Sequence, residues 1–414
     1  MAGSPDTLLS TSHNPRLLIL RLGSMGDVIH ALPAVTVLRT RWPGVEIGWA
    51  IEERWAELLC APRRGASVGE GYADAYGRSP EKPLVDRVHL VNTRTWRSHL
   101  FSGETWRYMR ATMQELRQRH YEVALDFQGA WKSAAVGLVS GAPMRIGFQN
   151  PRENAASVLY TRRIARRGAH VVEQNLSLIS ALTGLEGGDR NQENALREPL
   201  PVPELPREPG HERWAEEELG RRGLGEQDFA MLNPGAGWGA KCWPPERYAE
   251  LAQGLRDMGM PSLINFGPGE EPVVRAVEAA ARGTARAFQY SISELVALMR
   301  RARIFVGGDT GPMHLAAALG VPVVGIFGPT DPARNGPYGT RAVVLRSPES
   351  VTNHSRRAPA DGTMLSITPS MVLKAARELL EGTLKPVPRY PLPVSRYPLT
   401  GIGDEKPPPM AGNG

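Results

Sequence analysis

The chain has 414 residues, too many for one ordinary hydrophobic core and enough for two domains, and its 41% hydrophobic content supports such cores. No apolar run approaches the roughly 18 residues of a membrane span, and two cysteines without an export signal at the N-terminus predict a cytoplasmic protein. The formal net charge of +6 favours an anionic partner, a phosphorylated substrate or a membrane surface, whereas missing zinc-finger and aromatic-basic motifs argue against nucleic acid.

The first half opens with a βαβ pattern. After polar residues 1–15, predicted to be flexible, an apolar run typical of a buried parallel strand is followed by a glycine turn and a helical stretch. Short apolar and helical stretches then alternate up to residue 185. The predicted elements are strands over Arg16–Arg21, Val45–Ile51, Arg87–Val91 and Val123–Phe127, and helices over Val28–Trp42, Thr105–His120 and His170–Thr183.

The second half repeats this pattern after a change of composition. Residues 186–212 are rich in Pro, Glu, Asn and Arg and are predicted to be a linker, and the Pro-rich residues 385–414 are predicted to be disordered. Two βα halves, over residues 16–185 and 213–384, predict an α/β protein with two Rossmann-like domains facing a central cleft. The predicted strands here are Phe229–Leu232, Ser262–Phe266, Ile304–Val306 and Val323–Phe327, and the predicted helices are Pro245–Met258, Met371–Leu380 and a short one after Thr310.

The stretch from Ile304 to Phe327 carries the clearest signal for a ligand site. A buried strand ends in Gly-Gly-Asp309, Thr310 is placed to cap the following helix, and Pro312 is tolerated in its first turn. The amides at the start of that helix suit a phosphate. Asp309 would repel phosphate but suits a sugar or ribose hydroxyl. The alternative is an ordinary capped βαβ unit.

Asp27 follows the first predicted strand and a Gly-Ser-Met-Gly turn, at the sheet edge where open α/β sheets bind ligands. An unperturbed aspartate has a pKa of about 4 and is ionised at neutral pH, so it can accept a proton from a hydroxyl. The alternative is a helix N-cap, a position that Asp fills well.

Lys241 ends a glycine loop of the second half, where a lysine can neutralise a diphosphate. The loop lacks the Walker ending and the dinucleotide spacing, so neither pattern predicts NAD or another cofactor. Asp-x-Asp, the pair that supplies hard oxygen ligands to a divalent metal, does not occur in the chain. The prediction is therefore metal-independent chemistry. A basic wall in the first half, suited to an anionic acceptor, is formed by Arg94, Arg97, Lys132 and Arg152.

From about Arg16 to Glu381 the chain resembles the bacterial ADP-heptose:lipopolysaccharide heptosyltransferases of glycosyltransferase family 9. The first glycine turn resembles the members that add the first heptose to Kdo, and Asn233-Pro-Gly-Ala-Gly resembles those that add the second. The motifs that carry the resemblance are Gly23-Ser-Met-Gly-Asp27-Val-Ile-His30, Asp126-Phe-Gln-Gly-Ala-Trp-Lys132-Ser, Lys241-Cys-Trp-Pro244, Asp309-Thr-Gly-Pro-Met-His314 and Phe327-Gly-Pro-Thr-Asp-Pro332.

The resemblance implies a GT-B fold and an inverting, metal-independent transfer from ADP-L-glycero-D-manno-heptose to a Kdo-lipid A-type acceptor in lipopolysaccharide biosynthesis. It implies Asp27 as the general base. For the donor it implies Lys241 with the amides of Thr310 and Gly311 at the diphosphate, Asp309 and His314 at the heptose or its phosphate, Glu270 or Glu271 at the ribose, and Ile292 at the adenine. For the acceptor it implies Arg94, Arg97, Lys132 and Arg152. The protein would act at the cytoplasmic face of the inner membrane, in peripheral contact with the lipid.

Other functions compatible with the residues are a GT-B transferase with another nucleotide sugar or the second-heptose acceptor, a GT-B-shaped sugar-nucleotide epimerase, and a non-catalytic nucleotide-binding module. Asp27 discriminates between them, because an epimerase or a binding module has no use for a carboxylate at the acceptor edge. An epimerase would also consume the donor without any acceptor.

Overall fold

A computed structural model describes residues 15–70, 75–93, 96, 102–183, 201–225, 228–235, 241–283, 285–352 and 362–382. Residues 1–14, the first part of the predicted linker, the predicted tail from residue 385, and both Arg94 and Arg97 lie outside the described residues. None of the described helices is long and apolar enough to cross a membrane.

The first half is built on one parallel sheet, with its strands in the order β3-β2-β1-β4-β5-β6. The short apolar runs become strands whose residues are mostly buried, as expected for a sheet covered on both faces. Its elements are β1 Arg16–Leu20, α1 Met25–Arg41, β2 Glu46–Ile51, the 3₁₀ segment Glu53–Leu58, β3 Arg87–Leu90, α2 Gly103–Gln118, β4 Val123–Asp126, α3 Trp131–Val139, β5 Met144–Phe148, the 3₁₀ segment Asn154–Leu159, β6 Arg162–Ile164 and α4 Val171–Thr183.

The second half repeats this topology, with its sheet in the order β9-β8-β7-β10-β11-β12. In both halves the third-second-first-fourth-fifth-sixth order is that of a Rossmann sheet. Its elements are α5 Pro209–Arg221, β7 Ala230–Asn233, α6 Pro245–Asp257, β8 Ser262–Asn265, α7 Glu271–Ala281, β9 Ala285–Phe288, α8 Ile292–Arg301, β10 Ile304–Gly308, α9 Gly311–Ala318, β11 Val323–Phe327, α10 Pro332–Asn335, β12 Ala342–Arg346, the 3₁₀ segment Thr363–Ser366 and α11 Pro369–Glu381.

The structure differs from the predicted elements in a few informative places. Helix α1 begins at Met25, three residues before its predicted start, so Asp27 lies inside its first turn and Ser24 is the N-cap. Helix α3 was not among the predicted elements, because it is short and begins right after a glycine turn. Helix α5 begins at Pro209, inside the stretch predicted as linker, and the proline occupies the first turn as helices allow.

One hydrophobic cluster joins the two halves. It contains Val28 and Leu32 of α1 together with Met313 and Ala317 of α9, all of which are buried. A separate cluster lies on the other face of the second sheet, under α6 and α11. The contact between α1 and α9 therefore sets how the two sheets approach each other.

Candidate active site between the two sheets

The two sheets present their topological switch points to each other. In the first sheet the strand order reverses between β1 and β4, and in the second between β7 and β10. Ligands of open α/β sheets bind beyond the carboxyl ends of the strands at such points. The first turns of α1 and α9 meet here, because a Cβ on Gly26 would lie 2.6 Å from Cδ2 of His314 and one on Gly311 would lie 2.7 Å from Sδ of Met25. The region where these turns meet, beyond the carboxyl ends of the strands of both sheets, forms the central cleft and is the candidate active site.

Asp27 stands on the first-half side of this cleft, at the third position of α1. Its Oδ1 lies 2.5 Å from an η nitrogen of Arg21, and its Oδ2 accepts hydrogen bonds from the amide (3.1 Å) and the hydroxyl (3.2 Å) of Ser24. Arg21 is buried and also donates to the Phe127 carbonyl. Burial raises the pKa of Asp27, but the Arg21 guanidinium and the Ser24 hydrogen bonds outweigh it and hold the pKa below its usual value. The carboxylate is therefore ionised throughout the neutral range.

Lys241, Asp309 and His314 form one cluster on the opposite side. The Lys241 ammonium donates to Oδ2 of Asp309 at 2.7 Å and to its carbonyl at 3.2 Å, and Nε2 of His314 lies 3.2 Å from Oδ1. Burial raises the pKa of Asp309, but the hydrogen bond and charge of His314 and the charge of Lys241 hold it far below its usual value. The sequence prediction placed these three side chains at one ligand site, and the structure brings them together.

Helix α9 starts directly after this cluster. Thr310 is its N-cap, as predicted, but the Thr310 hydroxyl turns back to the Gly308 carbonyl at 3.3 Å and makes no cap hydrogen bond. The first amides of a helix have no partner within it, so they are available to an anion. A cationic ammonium and a helix N-terminus thus adjoin one carboxylate, an arrangement that suits a phosphate next to a hydroxyl-bearing sugar.

A row of histidines crosses the contact between the halves. Nε2 of His30 lies 3.1 Å from Nδ1 of His314, and the His30 ring meets the His170 ring edge-on. A carboxylate only accepts hydrogen bonds, so Nε2 of His314 carries the hydrogen directed at Asp309, and in the neutral ring its Nδ1 accepts from His30. Burial lowers the pKa of His30 well below its usual value and lowers that of His170 to about 4. Both rings are therefore neutral at pH 7.

Glu270, Glu271 and Ile292 lie where the loops after the neighbouring strands β8 and β9 lead into helices α7 and α8. The Glu270 carboxylate accepts from the Gly267 amide at 2.8 Å and fills the space beside Gly235, where a Cβ would lie 2.1 Å from its carboxyl group. Burial raises the pKa of Glu270. Glu271 and Ile292 each open a helix and are partly buried. The structure thus places Glu270 against the glycine loop that precedes Lys241, while the assignments to ribose and adenine stay predictions.

Two residues of the predicted basic wall are described, and both flank the end of β4. Lys132 lies in the first turn of α3, and its ammonium is 3.5 Å from the Thr93 hydroxyl. Arg152 is exposed, and its amide would lie 3.0 Å from a Cβ on Gly129 in the turn after β4. Both lie on the first-half edge that carries Asp27. Among the residues that the structure covers, no cluster of three or more His, Cys, Asp or Glu side chains is arranged to hold a metal ion.

Sequence reasoning missed three features of this site. Arg21 was assigned to a strand end, and only its position directly after an apolar run signalled a buried cation near Asp27. The pairing of His30 with His314 joins residues 284 positions apart and leaves no local signal. Asp126 orders the turn after β4, because it accepts from the Gln128 and Gly129 amides and from the hydroxyls of Ser133 and Tyr160.

Comparisons with known proteins agree with this arrangement. The model of glycosyltransferase family 9 (heptosyltransferase) matches residues 109–362. Lipopolysaccharide heptosyltransferase 1 of Pseudomonas aeruginosa is 30% identical over 80% of this chain and 84% of its own length. The protein of that name from Escherichia coli (strain K12) is 29% identical over 83% of this chain and 97% of its own length.

A solved structure gives the same result for the fold. The structure titled "E. coli heptosyltransferase WaaC with ADP-2-deoxy-2-fluoro heptose" is 26% identical, has a TM-score of 0.63, and is matched over 88% of this chain and 99% of that one. The predicted GT-B arrangement of two Rossmann-like halves is confirmed, and so is the predicted resemblance. The protein is a glycosyltransferase, and the chain belongs to glycosyltransferase family 9, the heptosyltransferase family.

Proposed function

We propose that the protein transfers heptose from ADP-L-glycero-D-manno-heptose to a Kdo-lipid A-type acceptor, the first heptose step of the lipopolysaccharide inner core, with inversion and without a metal ion. The observation that carries this proposal is the placement of Asp27 and the Lys241–Asp309 pair on opposite sides of one cleft, each at the switch point of its own sheet. The relatives named lipopolysaccharide heptosyltransferase 1, and the related structure with an ADP-heptose analogue, support this donor and this step.

The donor would lie along the second half. Its diphosphate sits at the N-terminus of α9, against the amides of Thr310 and Gly311 and the Lys241 ammonium. The ammonium has three hydrogens, so it can keep one bond to Asp309 and still donate to a phosphate oxygen. Asp309 and His314 contact the heptose or its phosphate. The ribose lies by Glu270 or Glu271 and the adenine by Ile292, as the family resemblance implies.

The acceptor would lie along the first half, with its acidic groups against a basic wall. Lys132 and Arg152 contribute to this wall from either side of the turn after β4, and Arg94 and Arg97 belong to it by sequence. An anionic saccharide linked to lipid brings the enzyme to the membrane. We therefore assign the protein to the cytoplasmic face of the inner membrane, in peripheral contact with the lipid.

The reaction needs one base and one stabilised leaving group. The acceptor hydroxyl attacks the anomeric carbon from the side opposite the diphosphate, and its proton passes to the Asp27 carboxylate. Each carboxylate oxygen has two lone pairs, so the bonds from Arg21 and Ser24 leave room for the hydroxyl. The bond from the anomeric carbon to the diphosphate breaks, and ADP leaves with the electron pair. Lys241 and the helix amides stabilise its growing negative charge.

The test is an ADP-release assay with ADP-heptose and Kdo-lipid A, in the presence of EDTA, with the anomeric configuration of the product read by NMR. We expect ADP release only when both substrates are present, an inverted product, and no effect of EDTA. Asp27→Asn should lower kcat by about 10²–10⁴-fold, the usual contribution of a general base, and leave the ADP dissociation constant unchanged. Faster turnover with UDP- or GDP-sugars would refute the donor, and activity that EDTA abolishes and Mg²⁺ restores would refute metal independence.

A further inference from the structure

An apolar cavity of about 430 Å³ lies in the first half, between α2 and α3 beyond the end of β3. Its volume falls in the range of roughly 300–1,000 Å³ that is typical of small-molecule sites. The wall is formed mainly by aliphatic and aromatic side chains, among them Trp96, Met109, Met113, Ala135 and Val136. Neither the donor nor the saccharide needs such a surface, and the mechanism above does not use it.

The surface next to this cavity has the composition of a lipid interface: Trp131 lines the cavity, and Trp106 precedes the lining residue Met109 by three positions on α2. Trp106 and Trp131 are 58% and 47% exposed to solvent, although large apolar side chains are usually buried. The exposed positions of α2 also carry Arg107 and Arg110. Indole rings combined with arginine are typical of segments that lie at the boundary between lipid headgroups and acyl chains.

The cavity adjoins the acceptor side of the cleft. Lys132 contributes to the cavity wall, and its ammonium is 3.5 Å from the Thr93 hydroxyl. That hydroxyl donates to the Glu52 carboxylate at 3.0 Å, and the Glu52 amide donates to the Leu22 carbonyl at 3.0 Å. Leu22 begins the turn that leads to Asp27. Two hydrogen-bonded residues thus connect the cavity wall with the turn before the proposed base.

We propose that this cavity binds an acyl chain of the lipid-linked anionic acceptor. The proposal rests on the proposed function, and it assigns to that acceptor a second, apolar contact. An occupant with many polar groups, such as a nucleotide or a polar peptide, would lose hydrogen bonds to water without finding partners in such a wall. An acyl chain has none, and the Lys132 ammonium at the wall matches the negative charge that such a lipid carries next to its chains.

One polar atom of the cavity fits the same occupant. Nε1 of Trp96 is buried and has no hydrogen-bond partner among the described residues. A buried donor without a partner costs free energy. The ester or amide carbonyl at the head of an acyl chain accepts one hydrogen bond, and the proposal assigns that bond to this indole.

The direct test is a fluorescence titration of the full-length protein with dansyl-undecanoic acid. The wild-type protein should increase the fluorescence of the dansyl group in a saturable way. Ala135→Phe fills the cavity from one wall and Val139→Phe from its end, so each should raise the dissociation constant at least tenfold. Leu138→Phe is the matched control, because Leu138 is on the same helix with 46% exposure and does not line the cavity, and it should stay within twofold. Thermal unfolding and ADP binding of each variant show that it is folded.

The second measurement ties the cavity to the acceptor. With acylated Kdo-lipid A, the two cavity-filling variants should raise KM at least tenfold, whereas with the deacylated saccharide kcat/KM should be that of the wild-type protein. No saturable probe binding, equal binding by all variants, or an unchanged KM for the acylated acceptor each overturns the proposal. If the wild-type protein glycosylates neither acceptor, the proposed function fails, and the probe titration still decides whether the cavity takes an acyl chain.

Discussion

Replacement of Gly26 by alanine tests the contact that joins the two halves of the site. A Cβ at this position would lie 2.6 Å from Cδ2 and 3.4 Å from Nε2 of His314. The ring cannot simply turn away, since Nδ1 is held by His30 at 3.1 Å and Nε2 by Asp309 at 3.2 Å, and the residue is buried. The steric clash between the new Cβ and His314 can therefore be removed only if α1 and α9 separate or if one of these two hydrogen bonds breaks.

The size of the effect follows from this geometry. Ordinary contact begins near 3.4 Å, so the Cβ and the ring must move apart by about 0.8 Å, and overpacking of this kind typically costs about 1–3 kcal/mol. The higher helix propensity of alanine offsets about 0.5–1 kcal/mol of this loss of stability. Because misplacement of reacting groups by about 1 Å can lower a rate about 10²-fold, we expect kcat/KM to fall about 100-fold. The ADP dissociation constant should stay within about threefold, because the proposed ADP contacts belong to the second half.

The assay is steady-state ADP release, with ADP binding by calorimetry and unfolding by urea. Gly220→Ala is the matched control: Gly220 also lies in a helix, a Cβ there would have nothing within 4 Å, and this variant should keep wild-type kcat/KM and gain slightly in stability. Wild-type kcat/KM for Gly26→Ala would refute the reasoning. So would an equal loss in both variants, since it could not come from the contact with His314.

Three further predictions concern charge. Arg21→Met should raise the pKa of Asp27 and move the acid limb of the kcat/KM profile to higher pH, because Arg21 holds that pKa down; Arg21→Lys keeps the charge and should leave the limb in place. Lys241→Met should weaken ADP binding about 10–150-fold, because a hydrogen bond to a charged group contributes about 1.5–3 kcal/mol. The control Lys374→Met changes an exposed lysine and should leave ADP binding unchanged in calorimetry. Since burial lowers the pKa of His170 from 6.5 to about 4, the unfolded chain binds more protons in that window. The free energy of unfolding should therefore fall as the pH drops from 6.5 to about 4. In urea titrations, His170→Phe should lose about 3 kcal/mol less over this pH range than the wild-type protein. Equal pH dependence of the free energy of unfolding in the two proteins would contradict this assignment.

Eight of the twelve described strands and the placement of Asp27, Asp309 and Lys241 were predicted, because the required information is local, whereas β5, β6, β9 and β12 were not predicted. A short apolar run predicts a buried parallel strand, and the residue that follows it must lie at the carboxyl edge of the sheet. Thr310 as the N-cap of α9 was predicted in the same way. Helix α3 was missed because a short apolar stretch does not distinguish a helix from a loop when it begins at a glycine turn.

The partners of these residues were not predictable, because they depend on side-chain direction and on contacts between distant segments. The pattern around Asp27 allowed a base or an N-cap. The structure makes Ser24 the N-cap and places Asp27 in the third position of the helix, where it bonds to Ser24 and pairs with Arg21; its role as base stays a prediction. The Lys241 loop was predicted to hold a phosphate, but its pairing with the Asp309 carboxylate requires two strand ends that are adjacent only in the folded sheet.

The contact between the halves shows why correct predictions of the elements within each half do not determine the geometry of the site between them. Gly26 and Gly311 occur in the sequence as turn glycines, yet each is needed because a side chain of the other half, His314 or Met25, occupies the place of its Cβ. Small residues at these positions set the separation of α1 and α9, and hence the distance from Asp27 to the proposed diphosphate site. Substitution of Gly26 should therefore change transfer and spare ADP binding, whereas substitutions of Lys241 should change both.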